Sequence, residues 1–334
     1  TSTDWDESQG RWIVSTDRQD TLKARFVVHS NGPLNRPKLP AIKGISDFKG
    51  HTFHTSRWDY AYTGGDAYGG LTGLADKRVA VIGTGATAVQ CVPHVGASAE
   101  HLYVFQRTPS SIDVRNNKPT DPNWMQEQAP GWHDERRRNF ESIMVGGVVK
   151  EDLVSDGWTE AFRLLFGNLQ DKAPSKARMA LWALTSVASV ERYKQGFKPY
   201  MTKKVTDYMD LAREMELADY QKMEGVRARA DQVVEDEQTA EALKPYYRQF
   251  CKRPCFHDEY LPTFNLPNVS LVNTDGKGVD QITADGIVFN GEEYKVDCII
   301  FATGFEVGTD YARRAGYQIN GVAGQSISEK WADG

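Results

Sequence analysis

The 334-residue sequence predicts an α/β protein on three observations: an apolar strand ending in a glycine-rich turn that opens a helix, a second strand directly after that helix, and strand signals that resume only beyond a long, charged, helix-patterned stretch. With 40% hydrophobic residues the chain is long enough for two domains, because single cores stop growing near ~250–300 residues. A net charge of −5 and a pI near 5.9 give no general attraction to nucleic acid or an anionic membrane, so a small-molecule partner is expected. Four scattered cysteines (Cys91, Cys251, Cys255, Cys298) do not make a disulfide framework and point to a reducing, cytoplasmic setting. The longest apolar run, 179–190, falls short of the ~20 residues of a membrane helix and reads as a buried helix. The opening residues are polar, show no signal-peptide pattern and do not begin with methionine, so a preceding N-terminal segment is expected.

The elements follow in order. Segments 11–16 and 21–30 gather Trp12, Ile13, Val14, Phe26, Val27 and Val28 around a polar turn at 17–20, which predicts two paired strands. Pro33, Pro37 and Pro40, with fixed φ and no amide donor, make 33–40 an extended connector. Five glycines between Gly64 and Gly73 predict a flexible crossing and a domain boundary. Residues 78–82, 86–95 and 102–106 then read as strand, helix and strand, a βαβ unit. From 121 to 247 the pattern is helical, with 3.6-period segments such as 207–223 and 232–243, and is read as an insertion. Strands return at 269–273, 286–289 and 297–302.

Gly83-Thr84-Gly85-Ala86-Thr87-Ala88 is a G-x-G-x-x-A run where a strand ends and a helix begins. Gly83 permits the tight turn, Gly85 lets backbone approach a pyrophosphate, and Ala88 allows close helix–strand packing; the free N–H groups of the helix start then favour an anion. An NAD site usually places an acidic residue about 20 positions on, at the ribose 2′-hydroxyl. Here the next strand ends in Gln106-Arg107-Thr108 instead, and Arg107 suits a 2′-phosphate, so NADP(H) is expected over NAD(H); a plain surface arginine is the alternative.

Phe48, Gly50, His54, Trp58 and Asp59 fall in the order F-x-G-x-x-x-H-x-x-x-W-[PD], which resembles the fingerprint of type I Baeyer–Villiger monooxygenases. Related N- and S-oxygenating flavin monooxygenases look similar but carry Tyr or Phe where Trp58 stands. The glycine turn, Gln106-Arg107-Thr108, Cys251-Lys252-Arg253-Pro254, Thr263-Phe264-Asn265 and Ala302-Thr303-Gly304-Phe305 continue the resemblance through nearly the whole chain. One departure stands out: the first G-x-G-x-x-G of that family, which holds the FAD pyrophosphate, has no counterpart before Phe48, so a fragment is expected.

The resemblance implies two Rossmann-like dinucleotide-binding domains, for FAD and NADP(H), the second carrying the helical insertion. The implied division is a partial FAD-binding domain at 1–60, a linker at 61–76, the NADP-binding domain at 77–118 and 248–296 around the insertion at 119–247, and a return to the FAD domain at 297–334. It also implies an FAD- and NADPH-dependent monooxygenase that uses O₂ to convert a ketone to an ester or lactone; heteroatom oxygenation, or a catalytically inert NADP-binding fragment, remain as alternatives. Arg253 is the expected catalytic residue, since a guanidinium is always charged and offers a rigid fork of donors to an oxyanion; an interface ion pair is the other reading. Lys252 would join Arg107 at the 2′-phosphate or simply be solvated. His54 and Trp58 are assigned to hinge positioning between nucleotide domains, with a satisfied structural histidine as the alternative. Ala302, Thr303 and Gly304 would let backbone approach the flavin, or form an ordinary strand-to-turn glycine. The C-x₃-C spacing of Cys251 and Cys255 lacks a second pair, so no metal is expected.

Overall fold

The computed structural model describes residues 1–147, 149–170 and 205–332. The apolar run 179–190 lies outside the described residues. The strands are β1 Ser2–Asp6, β2 Arg11–Ser15, β3 Thr21–Ala24, β4 His51–His54, β5 Arg78–Ile82, β6 His101–Gln106, β7 Ile112–Asp113, β8 Cys255–Phe256, β9 Val269–Asn273, β10 Gln281–Ile282, β11 Gly286–Phe289, β12 Glu292–Lys295, β13 Cys298–Phe301 and β14 Gln318–Asn320. The main helices are α1 Tyr60–Thr63, α2 Ala86–Gly96, α3 Trp132–Met144, α4 Gly157–Gln170, α5 Val205–Val233 and α6 Glu237–Ala242.

A five-stranded parallel sheet in the order β4-β13-β5-β6-β9 organises the molecule. Its central strands are apolar on both sides, as a sheet covered on both faces requires: Val79, Ala80 and Val81 of β5 and Cys298, Ile299 and Ile300 of β13 are all 0% exposed. One face receives Ala88, Val89, Val92 and Val95 of α2, with Tyr260, Leu261 and Phe264 beyond them. The other face packs Ala80, Phe105, Ile299 and Phe301 against Ile282 and Ile287 of the small antiparallel sheet β10-β11-β12.

The βαβ unit and the returning strands form where expected, and helices occupy much of the described part of 121–247, with differences of detail. The strand expected over 21–30 stops at Ala24, and Phe26 and Val28 stand exposed beyond it. The helical segment expected over 232–243 is two elements, because Asp236 leaves helical geometry and caps α6 by accepting from the Thr239 N–H. The expected linker and the boundary at 297 both divide one sheet. β4 precedes the glycine crossing and β5 follows it, yet they flank β13 in the same sheet, so the crossing joins strands of one sheet. The two chain ends do meet: β14 runs parallel to β1, which pairs antiparallel with β2, and β2 with β3, in a separate four-stranded sheet.

Candidate nucleotide and active site

The glycine turn has the geometry its residues demand. Gly83 sits at φ +109°, and a Cβ there would lie 2.6 Å from the Ala302 carbonyl oxygen. Gly85 is exposed at the N-cap of α2 with no atom within 4 Å of an added Cβ, and no side chain caps the helix. Ala86, Thr87 and Ala88 form the first turn, with Ala88 fully buried against the sheet. The open N–H groups and the positive end of the helix dipole therefore face free space, the arrangement that accepts a phosphate.

The turn is knitted to the end of the next strand. The Thr84 hydroxyl donates to the Thr108 carbonyl at 2.8 Å, and the Ser110 hydroxyl donates back to the Thr84 carbonyl at 2.5 Å. Arg107 is exposed, and Lys252 reaches in from the far side of the insertion to donate to the Thr108 hydroxyl and, at 3.4 Å, to the Pro109 carbonyl. Burial first, and then the neighbouring Arg107 cation, hold the Lys252 ammonium below its ordinary pKa. Among the described residues neither cation has a carboxylate partner, so the pair presents net positive charge to whatever binds there. Gln106, grouped with these residues from sequence, is 0% exposed, and its Nε2 donates to the Ala242 carbonyl at 2.6 Å. Its side chain thus fastens the strand end to the insertion rather than facing the open side.

Arg253 is exposed and lines a cleft of about 530 Å³ together with Ala86, Val89, His94, Arg115 and His257. The cleft sets this guanidinium beside the opening turns of the nucleotide helix. Arg253 lies two residues before β8, which pairs with β7, and Arg229 of α5 ties β7 to the end of β8 by donating to the Ile112 and His257 carbonyls, each at 3.1 Å. Lys222 of the same helix pairs with Asp113. Asp258 accepts from the backbone N–H groups of Arg115, Asn116 and Asn117 and completes the frame. Sequence reasoning missed Arg229 and Lys222 as struts, because a charged residue within a helix-patterned segment carries no signal of the groups it faces.

The fingerprint residues converge on the edge of the sheet. A Cβ at Gly50 would lie 2.6 Å from the Asp297 carbonyl oxygen, and Phe48 packs on the face shared with β10–β12. His54 is 7% exposed; its Nδ1 accepts from the Ser56 N–H at 3.2 Å, which places the proton on Nε2. Nε2 is buried without a hydrogen-bond partner. Burial lowers the pKa of His54, with the Gly304 backbone opposing, and its ring meets Phe305 edge-on at 5.6 Å. The histidine therefore touches the Ala302-Thr303-Gly304-Phe305 segment. There Gly304 adopts φ +78° with open space where a Cβ would be, while Thr303 donates to the Lys38 carbonyl at 2.6 Å. Trp58 donates to the Thr63 hydroxyl at 3.0 Å, and Asp59 caps α1 through the Ala61 and Tyr62 N–H groups while pairing with His51 at 3.0 Å. The capping role was available from sequence, since Asp immediately precedes a short helical run.

Over its whole length the chain is 50% identical, across 336 residues, to the neopentalenolactone D synthase of Streptomyces avermitilis, spanning 100% of this chain and 52% of that protein. A Baeyer–Villiger monooxygenase of Stachybotrys chlorohalonatus is 50% identical over 330 residues, with 99% and 48% covered. The polycyclic ketone monooxygenase of Thermothelomyces thermophila superposes with a TM-score of 0.77 at 37% identity, covering 99% of this chain and 51% of its own. Over the stretch it spans, the chain is similar to Baeyer–Villiger monooxygenases. No family model matches it. A steroid monooxygenase solved with NADP bound superposes with a TM-score of 0.69 at 28% identity, covering 100% of this chain and 57% of that one. The chain spans about half the length of the Baeyer–Villiger relatives it matches. Among the described residues no helix is long and apolar enough to cross a membrane.

Proposed function

We propose that the protein is an NADPH- and O₂-dependent flavoprotein monooxygenase that inserts one oxygen atom beside a ketone carbonyl. The balance is ketone, O₂, NADPH and a proton to ester or lactone, water and NADP⁺. The observation that carries this reading is the pair of unneutralised cations, Arg107 and Lys252, standing next to an uncapped helix start in a chain half identical to Baeyer–Villiger monooxygenases. A relative of Hypomyces subiculosus is named an FAD-binding monooxygenase and a solved neighbour a polycyclic ketone monooxygenase, and the scattered free cysteines favour a reducing, cytoplasmic setting.

The residues present fit NADP(H). The N–H groups of the first turn of α2 would hold the pyrophosphate, with Gly85 admitting it to backbone distance. Arg107, a rigid fork, and Lys252, a compact charge, would share the 2′-phosphate. Ala302, Thr303 and Gly304 fit the approach of a flavin through the open backbone at Gly304. FAD, when bound, takes the hydride from NADPH and supplies the activated oxygen. Arg253 would hold the anionic oxygen that develops on the carbonyl carbon, at the cleft it lines. His54 orients the Gly304 segment, and Trp58 and Asp59 fix the chain beside it; this is a positioning role.

The domain division we favour keeps β4 and β13 with the nucleotide sheet and assigns the four-stranded sheet built from both chain ends to the flavin-binding part. The visible spectrum of the chain with FAD supplied, followed by anaerobic NADPH, tests the reading. Bound flavin that bleaches with NADPH supports it. A colourless chain that binds NADP alone would leave the chain as a nucleotide-binding unit only.

A further inference from the structure

Tyr247, which ends the expected insertion, stands against one member of the cation pair, Lys252. Tyr247 is half-buried and its hydroxyl donates to the Pro109 carbonyl at 3.0 Å, the same oxygen that Lys252 reaches at 3.4 Å. The Lys252 ammonium stands 5.0 Å from the centre of the Tyr247 ring. Burial pushes the phenol up to about 12, so it remains a protonated donor at neutral pH. A free lysine samples many rotamers, and ordering it opposes any ligand it must meet. Here an aromatic face beneath the ammonium and two oxygen acceptors beside it impose that order before a ligand arrives. The loop that carries those acceptors is itself tied to the glycine turn through Thr84 and Ser110.

We propose that Tyr247 is a specificity-determining residue, whose ring holds Lys252 where, with Arg107, it meets the phosphate that separates NADP from NAD. The inference rests on the NADP assignment above and adds a residue from the insertion, to which the glycine motif and the strand end give no clue. It also explains why Lys252 points along the strand end rather than into solvent.

The test is calorimetric titration of the chain and its variants with NADP⁺, NAD⁺ and 2′,5′-ADP. Tyr247→Leu is expected to weaken NADP⁺ and 2′,5′-ADP by about three- to tenfold and leave NAD⁺ unchanged. Tyr247→Phe keeps the ring and is expected to stay within about twofold of the parent. In a Lys252→Ala background the loss from Tyr247→Leu is expected to vanish, because the ammonium it acts through is gone. Tyr247→Met serves in place of leucine if that variant does not fold. An unchanged or equal effect on NADP⁺ and NAD⁺, or a loss that persists undiminished without Lys252, would overturn the role of Tyr247 while leaving the cation pair in place. An unchanged NADP⁺ to NAD⁺ ratio in both Arg107→Ala and Lys252→Ala would overturn the nucleotide assignment and this inference with it.

Discussion

Two alanine substitutions two residues apart separate the folding role of the glycine turn from its binding role. At Gly83 the backbone holds φ +109°, which costs a non-glycine residue about 1–3 kcal/mol. The new Cβ would also press to 2.6 Å on the Ala302 carbonyl oxygen, a backbone atom whose own amide is bonded to Ile82 at 3.0 Å and which has little room to retreat. Gly83→Ala is therefore expected to cost about 3 kcal/mol or more, lowering the melting temperature of the ligand-free chain by about 4 °C or more. Gly85 is different: its φ is −71° and nothing lies within 4 Å of an added methyl. Alanine is a poorer N-cap than glycine, so Gly85→Ala is expected to cost at most ~1 kcal/mol of stability. The methyl would, however, stand where a pyrophosphate must approach the backbone, and NADP⁺ and NAD⁺ are both expected to bind at least ~10-fold more weakly, a loss near 1.4 kcal/mol. Scanning calorimetry without ligand and isothermal titration with each nucleotide read the two effects separately. A Gly85→Ala chain that binds like the parent, or a Gly83→Ala chain equally stable to it, would refute the reasoning.

Arg107→Ala removes a charge-assisted contact at an exposed position and is expected to weaken NADP⁺ by about 1.5–3 kcal/mol, nearer the lower bound because of solvent screening, with NAD⁺ nearly unchanged; equal losses would count against a 2′-phosphate site. Arg229→Met leaves the Ile112 and His257 carbonyls without their donor and is expected to cost about 2–3 kcal/mol in urea unfolding, whereas a change under ~0.5 kcal/mol would show that α5 does not brace the Arg253 segment. His54, His101 and His257 are each held below the ordinary imidazole value, chiefly by burial. The unfolded chain then takes up protons first as the pH falls, so their contribution to stability is complete above ~6.5 and is lost as the pH drops from there through the folded values. Urea midpoints measured down the pH scale should fall over that window, and should fall less in His54→Gln; an unchanged slope would contradict the burial argument.

Much of this was legible from local pattern. The apolar run Val79–Ile82 followed by glycine and a helix could be read as a nucleotide turn, and the structure shows close approaches at Gly83, open space at Gly85 and burial at Ala88. What stayed hidden depends on pairing across long distances in sequence. β1 is a short polar strand, Ser-Thr-Asp-Trp-Asp, that carries no apolar alternation and is fixed by β2 on one side and by β14, more than three hundred residues away, on the other. The glycine crossing suggested a domain boundary because flexible composition is common to linkers and to turns within a sheet, and only the insertion of β13 between β4 and β5 tells them apart. The site was legible in the same uneven way. Arg107, Lys252 and Arg253 could be singled out by type and order, while Tyr247, Ser110 and Arg229 act through backbone carbonyls and a ring face that no spacing rule marks.

The most direct test of the account offers the protein, with bound FAD, NADPH and ¹⁸O₂, an equimolar mixture of a cyclic ketone and a thioether and follows the products by mass spectrometry. The account predicts a lactone carrying one ¹⁸O atom and its loss in Arg253→Ala, with NADP⁺ affinity retained in that variant. Sulfoxide without lactone, or lactone formation undiminished without the Arg253 guanidinium, would contradict it.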